Sequence, residues 1–255
     1  MKVLQRLFGS KHRASRAQIP PANPDQPFVA IGDIHGRDDL LERLMEKINL
    51  EFGQDIAIIT VGDAIDRGEE SAYVLDRLFE MSKDENSRLT SLVGNHEDMM
   101  LRFLDYPETH GARWLRFGGL QTLASFGVGD VFENSGPKEM IEARDQLRAA
   151  LGVAMEEWLR HLPSRWISGN VGVVHAGADP SLPISLQSDE TLIWGHPDFG
   201  HKPRFDNIWV IHGHTITPEP QIHRGHVAID TGAYATGRLT AVHVSSEGGF
   251  QFLTA

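Results

Sequence analysis

Phe28-Val29-Ala30-Ile31-Gly32-Asp33-Ile34-His35-Gly36 decides the reading of the whole chain. Four consecutive apolar residues suit a short strand buried on both faces, and the Gly-Asp-x-His-Gly that follows stands where such a strand must end. Residues 38–50 then place Leu40, Leu41, Leu44, Met45 and Ile48 on one helical face, which predicts a helix packed on the sheet.

The same unit recurs twice. Residues 56–61 predict a strand ending at Gly62-Asp63, followed by a helix over 71–81 with Val74, Leu75 and Leu78 inward. Residues 89–93 predict a third strand, ending at Gly94-Asn95-His96, and helical signals resume at Met99, Met100, Phe103 and Leu104. Each unit sets polar residues at the carboxyl end of a strand, where open α/β sheets hold their ligands. Residues 105–165 lose this rhythm and read as a mainly helical insertion, broken at Gly118-Gly119 and near Gly127. The last third turns β-rich, with strands expected over 171–174, 208–211, 227–229, 239–244 and 250–253. Together they predict a second, mixed sheet packed on the first, within one α/β domain over residues 28–255.

The 255 residues, 40% hydrophobic and 23% charged, suit a globular chain with one large core. The absence of cysteine excludes disulfides, thiolate ligands and a cysteine nucleophile. No apolar run reaches the roughly 20 residues of a membrane helix, and residues 1–27 lack the apolar core of a signal peptide, so a cytoplasmic location is expected. A net charge of −11 argues against stable nucleic-acid binding. Residues 1–27 differ from the rest, with Lys2, Arg6, Lys11, Arg13 and Arg16 against only Asp25, which is +4 against −15 for the remainder. With Pro20, Pro21, Pro24 and Pro27 at its end, this stretch reads as a basic flexible tail, with docking as its candidate role.

Five clusters follow apolar strands: Asp33 with His35; Asp63 with Asp66 and Arg67; Asn95-His96-Glu97; His175-Ala176-Gly177; and His212-Gly213-His214-Thr215. One aspartate and histidine after a strand is most simply a helix cap beside a solvated ring. Five such clusters at strand ends do not suit that reading. Aspartate, histidine and asparagine are the sulfur-free ligands expected for Mn, Fe or Zn. A carboxylate can bridge two cations, and two cations about 3.5–4 Å apart polarise a phosphoryl group and deprotonate a water near neutral pH.

The ordered set Gly-Asp-x-His-Gly, Gly-Asp-x-x-Asp-Arg-Gly, Gly-Asn-His-Glu, His-Ala-Gly and Gly-His-Thr resembles the calcineurin-like metallophosphoesterases, and among them the phosphoprotein phosphatases. The likeness spans residues 28–244 and includes the run Ile229-Asp230-Thr231-Gly232-Ala233. It implies two packed mixed β-sheets flanked by helices, two divalent metal ions with Mn expected (Fe or Zn fitting the same residues), and a phosphoprotein or phosphopeptide substrate. By the resemblance, Asp33 and His35 bind the first metal, Asp63 bridges, and Asn95, His175 and His214 complete the second. His214 takes the Gly-His-Thr position, although spacing alone also admits His212.

Three roles follow from chemistry as well as from the resemblance. His96 can protonate a departing alkoxide, Asp66 can orient that imidazole, and the planar guanidinium of Arg67 can grip two phosphate oxygens. The chain departs from the family pattern at Leu192-Ile193-Trp194-Gly195-His196-Pro197, where His196 stands in place of a second phosphate-gripping arginine, with Lys202 and Arg204 as candidate substitutes. Hydrolases of dinucleoside polyphosphates share most of these motifs but usually carry alanine at the position of Asp66, so its presence favours a serine/threonine protein phosphatase over a diadenosine tetraphosphate hydrolase. Ile216 stands where phosphodiesterases commonly place a further histidine.

Overall fold

The computed structural model describes residues 19–84 and 87–255. Three βα units open the fold: β1 (Phe28–Ile31) with α1 (Asp38–Phe52), β2 (Ala57–Thr60) with α2 (Ser71–Ser82), and β3 (Leu89–Ser91) with α3 (Asn95–Asp105). The segment after α3 holds α4 (Pro107–Trp114), a π-helical turn (Leu115–Gly119), α5 (Leu120–Ser125) and α6 (Pro137–Arg160). The rest of the chain runs β4 (Arg165–Ser168), β5 (Val171–Val174), α7 (Asp189–Trp194), β6 (Trp209–His212), β7 (Gln221–His223), β8 (His226–Ala228), α8 (Ala233–Thr236), β9 (Thr240–Val244) and β10 (Phe250–Thr254).

These strands build two mixed five-stranded sheets, ordered β10-β9-β1-β2-β3 and β4-β5-β6-β8-β7. The β-rich last third does not all join the second sheet. β9 pairs antiparallel with β1, Phe28 opposite Val244, and β10 pairs with β9, so the chain end returns to the first sheet and covers the free edge of β1.

Period-2 alternation assigns the layers. Phe28 and Ala30 of β1, Ile59 of β2, and Val242 and Val244 of β9 face the second sheet, where they meet Val171, Val173, Ile211 and Val227. Val29 and Ile31 point the other way, into a core shared with Leu40, Leu44, Leu75, Met100, Phe103 and Trp114. Burying β1 on both faces explains its unbroken apolar run.

Of the predicted tail, residues 1–18 lie outside the described residues. Residues 19–27 lie against the second sheet: Trp209 donates its indole N–H to the Pro20 carbonyl at 2.8 Å, Gly169 donates its N–H to Asp25 at 2.8 Å, and Ala22 is buried. Among the described residues, no helix is long and apolar enough to cross a membrane.

Candidate active site

The carboxyl ends of β1, β2, β5 and β6 and the start of α3 converge on one point. The ligand-type atoms of His35, Asp63 and His96 lie within 4.8 Å of one another, as do those of Asp63, His175 and His214. Asp63 belongs to both groups, the position expected of a bridge between two cations.

The chain takes strained backbone to arrange this. His35, Asp63, Asp66, Arg67 and His214 all have positive φ, between 48° and 72°. A left-handed conformation costs a non-glycine residue about 1–3 kcal/mol, and such strain persists only where its surroundings over-determine it. Here the hydrogen bonds do so. His35 directs Nδ1 at the Ile65 carbonyl (2.8 Å) and His175 directs Nδ1 at the Val61 carbonyl (3.0 Å), which turns both Nε2 atoms toward Asp63, at 3.6 and 3.5 Å. The His214 N–H donates to both oxygens of Asp33, at 3.1 and 3.0 Å. Gly213 makes that approach feasible, since a Cβ there would lie 1.8 Å from Asp33 Oδ1. Asn95 Oδ1 faces His175 Nε2 and His214 Nδ1, each at 2.8 Å.

Burial, only partly offset at the two carboxyls by the charge of Arg67, shifts these groups in a consistent sense. The carboxyls of Asp33 and Asp63 are pushed well up, chiefly by burial, with Asp230 and Asp63 adding to the shift at Asp33 and Glu97 to that at Asp63. The imidazoles of His35 and His175 are pushed well down, again chiefly by burial. Neutral imidazoles beside acids in need of counter-charge form a donor set that suits divalent cations, with oxygen and nitrogen ligands and no sulfur. The donor set therefore fits a metal pair.

His212 falls outside both groups. Its Nδ1 meets the Gly213 carbonyl at 3.0 Å and its ring packs against Phe199.

His96 Nδ1 lies 2.6 Å from Asp66 Oδ2 in a fully buried contact, which leaves Nε2 facing the cluster. Burial pushes the Asp66 carboxyl up to about 7, against the opposing hydrogen bonds of Thr122 and Trp114, and pushes His96 down to about 3 with help from the positive charge of Arg67. Arg67 sends its two terminal nitrogens to His35 Nε2 (3.2 Å) and His96 Nε2 (3.0 Å), and its guanidinium lies 5.0 Å over the Tyr234 ring. Arg67 is partly exposed, whereas His35 and His96 are buried.

His196 is held elsewhere. It accepts the Asp198 N–H at 3.2 Å, and its Nε2 lies 3.8 Å from Asp179. The two candidate substitutes are also occupied, Lys202 by Asp198 and Arg204 by Asp206 and the carbonyls of Asp179 and Leu182.

Four supporting residues had no role in the sequence reading. Glu97 accepts the amide hydrogens of Asp63, Ala64 and Gly94, Trp114 and Thr122 bond to Asp66, and Tyr234 packs on His35 and Arg67. Glu97 was visible inside Gly-Asn-His-Glu. Trp114 and Thr122 lie far from any motif, and Tyr234 directly follows the Ile229–Ala233 run, but no local pattern assigns any of the three a role.

Comparisons with known proteins agree with this geometry. Residues 26–218 match the family model for calcineurin-like phosphoesterases. The chain is similar to serine/threonine-protein phosphatase 2 of Escherichia coli, at 28% identity over 89% of this chain and 97% of that protein. It is also similar to the asymmetrical bis(5'-nucleosyl)-tetraphosphatase PrpE of Oceanobacillus iheyensis, at 26% identity over 83% of this chain and 86% of that protein. A solved structure described provisionally as a diadenosine tetraphosphatase superposes with a TM-score of 0.60 at 20% identity, covering 91% of this chain and 94% of that one. With two five-stranded sheets, strand-end clusters of aspartate and histidine around Asp63 and a family model spanning most of its length, the chain belongs to the calcineurin-like phosphoesterases.

Proposed function

We propose that this enzyme is a serine/threonine protein phosphatase holding two divalent ions, with manganese the preferred pair. Asp33 and His35 would hold the first ion, Asp63 both, and Asn95, His175 and His214 the second. When bound, the metal pair supplies Lewis-acid polarisation of the phosphoryl group and a water deprotonated near neutral pH. The protein's own part is to place the ester and to supply a proton. Arg67, at the mouth of the cluster, grips the phosphate through its planar guanidinium. His96 offers Nε2 to the ester oxygen on the far side of phosphorus.

The observation that carries this reading is the 2.6 Å contact between His96 Nδ1 and Asp66 Oδ2. A serine or threonine alkoxide is a strong base and a poor leaving group, so expelling it needs a proton at the moment the bond breaks. A nucleotide leaves as a phosphate anion, which is stable without that proton. An oriented acid buried beside the cluster therefore suits phosphomonoesters of alcohols.

A second reading, hydrolysis of dinucleoside tetraphosphates, is favoured by the likeness to the PrpE protein over most of both chains. Metal-free protein reconstituted with manganese and assayed in parallel on a serine phosphopeptide and on diadenosine tetraphosphate separates the two, with Asp63→Asn as control. Preferential phosphate release from the peptide supports the phosphatase. Selective cleavage of the dinucleotide transfers the assignment to the second reading.

A further inference from the structure

We propose that the helical insertion is a part of the proton-delivery apparatus, in which Trp114 and Thr122 are positioning residues that fix Asp66 and, through it, the His96 imidazole. The inference rests on the phosphomonoesterase reading above and names the device that makes its acid work.

Asp66 has two carboxylate oxygens and both are spoken for. The Thr122 hydroxyl lies 2.6 Å from Oδ1, and the same hydroxyl oxygen accepts the Asp66 N–H at 2.9 Å. The Trp114 indole N–H reaches Oδ2 at 2.9 Å and Oδ1 at 3.2 Å. Oδ2 is the oxygen that faces His96 Nδ1. The carboxylate cannot turn about its own bond without losing both donors, so its direction, and with it that of the imidazole, is set from the insertion. Asp66, Trp114, Thr122 and the adjoining Ser71 are all fully buried, so water does not substitute for a lost donor at no cost.

The insertion is shaped to reach this point. Trp114 ends α4 and Thr122 lies in α5, and the π-helical turn between them places the Gly118 carbonyl 3.4 Å from the Arg67 amide nitrogen. Gly118 has φ of 117°, and a Cβ on it would lie 2.7 Å from that nitrogen. Only glycine lets the turn sit this close to Asp66 and Arg67. A segment serving only to cover a groove has no need of two buried donors aimed at one carboxylate.

In the step concerned, a water oxygen bonds to phosphorus, the ester P–O bond breaks, and its electron pair takes a proton from His96 Nε2, which accepts an Arg67 N–H at 3.0 Å in this structure and must first leave that contact and take up a proton from solvent. The proton released by the attacking water returns to solvent, and the imidazole is reprotonated before the next cycle. The positioning of His96 therefore matters in proportion to how badly the leaving group needs a proton.

The test compares manganese-loaded wild type, Thr122→Val, Thr122→Ser and Trp114→Phe on a serine phosphopeptide, which releases an alkoxide, and on 4-nitrophenyl phosphate, which releases an anion stable without protonation. Thr122→Val should lower kcat on the phosphopeptide by about tenfold or more, with a much smaller fall on the nitrophenyl ester and little change in KM. Thr122→Ser should restore most of the loss, and Trp114→Phe should show the same split. Equal losses on both esters, or no rescue by serine, would overturn the inference. If Thr122→Val does not fold, the split in Trp114→Phe decides in the same way. A wild type inactive on both esters removes the phosphomonoesterase reading and this inference with it, whereas an active wild type with unsplit variants removes the inference alone.

Discussion

Glu97 holds Asp63 through the backbone, its Oε2 accepting the Asp63 amide hydrogen at 2.9 Å, while the same carboxylate accepts those of Ala64 and Gly94, each at 2.8 Å. One buried acid thus ties the loop after β2 to the first turn of α3, the two segments that carry Asp63 and His96. Glu97→Ala leaves these buried amides without partners and is predicted to lower the unfolding free energy by about 3 kcal/mol in urea titrations. A loss under about 1 kcal/mol would contradict this structural role.

His96→Asn removes the proposed acid while leaving the proposed metal ligands in place. It is predicted to lower kcat on a serine phosphopeptide by about 10²–10⁴-fold with KM nearly unchanged. A rise in KM at constant kcat would show instead that His96 serves binding alone.

We propose that His196 stands where relatives carry a phosphate-gripping arginine, and an imidazole lacks the planar, several-donor fork of a guanidinium. His196→Arg is predicted to lower KM for small phosphate esters several-fold, read from initial rates. The nearby Asp179 carboxylate is the competing partner, and an unchanged or raised KM would mean that it captures the new guanidinium.

His226 is buried in β8 with its ring on Phe199, and its Nδ1 finds no hydrogen-bond partner among the described residues. Burial, with the neighbouring His212, depresses its pKa to about 4. The unfolded chain therefore binds this proton first, near the ordinary value of about 6.5, and stability falls as pH drops through the window down to about 4. This one group should account for about 2–3 kcal/mol of acid destabilisation. His226→Leu should flatten the fall in urea midpoint between pH 7 and pH 4.5 relative to wild type. Parallel curves would show that His226 does not contribute.

The sheet ends and the gathering of aspartates and histidines there were legible because each rests on a local pattern. An apolar run such as 28–31 followed by Gly-Asp-x-His specifies both a buried strand and the aspartate and histidine at its end within one short stretch. What was not legible depends on distance. Nothing local tells that β9 returns to β1, because Thr240–Val244 is as apolar as the strands of the second sheet and only the open edge of β1 selects it. β4 and β7 are short and carry few buried residues, so their pattern is weak. Trp114 and Thr122 read as ordinary members of a helical insertion, since their partner Asp66 lies 48 and 56 residues away.

The most direct test of the dinuclear assignment is calorimetric titration of metal-free protein with manganese, followed by phosphatase assay, for wild type and Asp63→Asn. The account predicts two ions per chain in the wild type, activity that rises with occupancy, and loss of at least one ion and nearly all activity in the variant. Full activity with a single ion bound, or two ions and undiminished activity in Asp63→Asn, would contradict it.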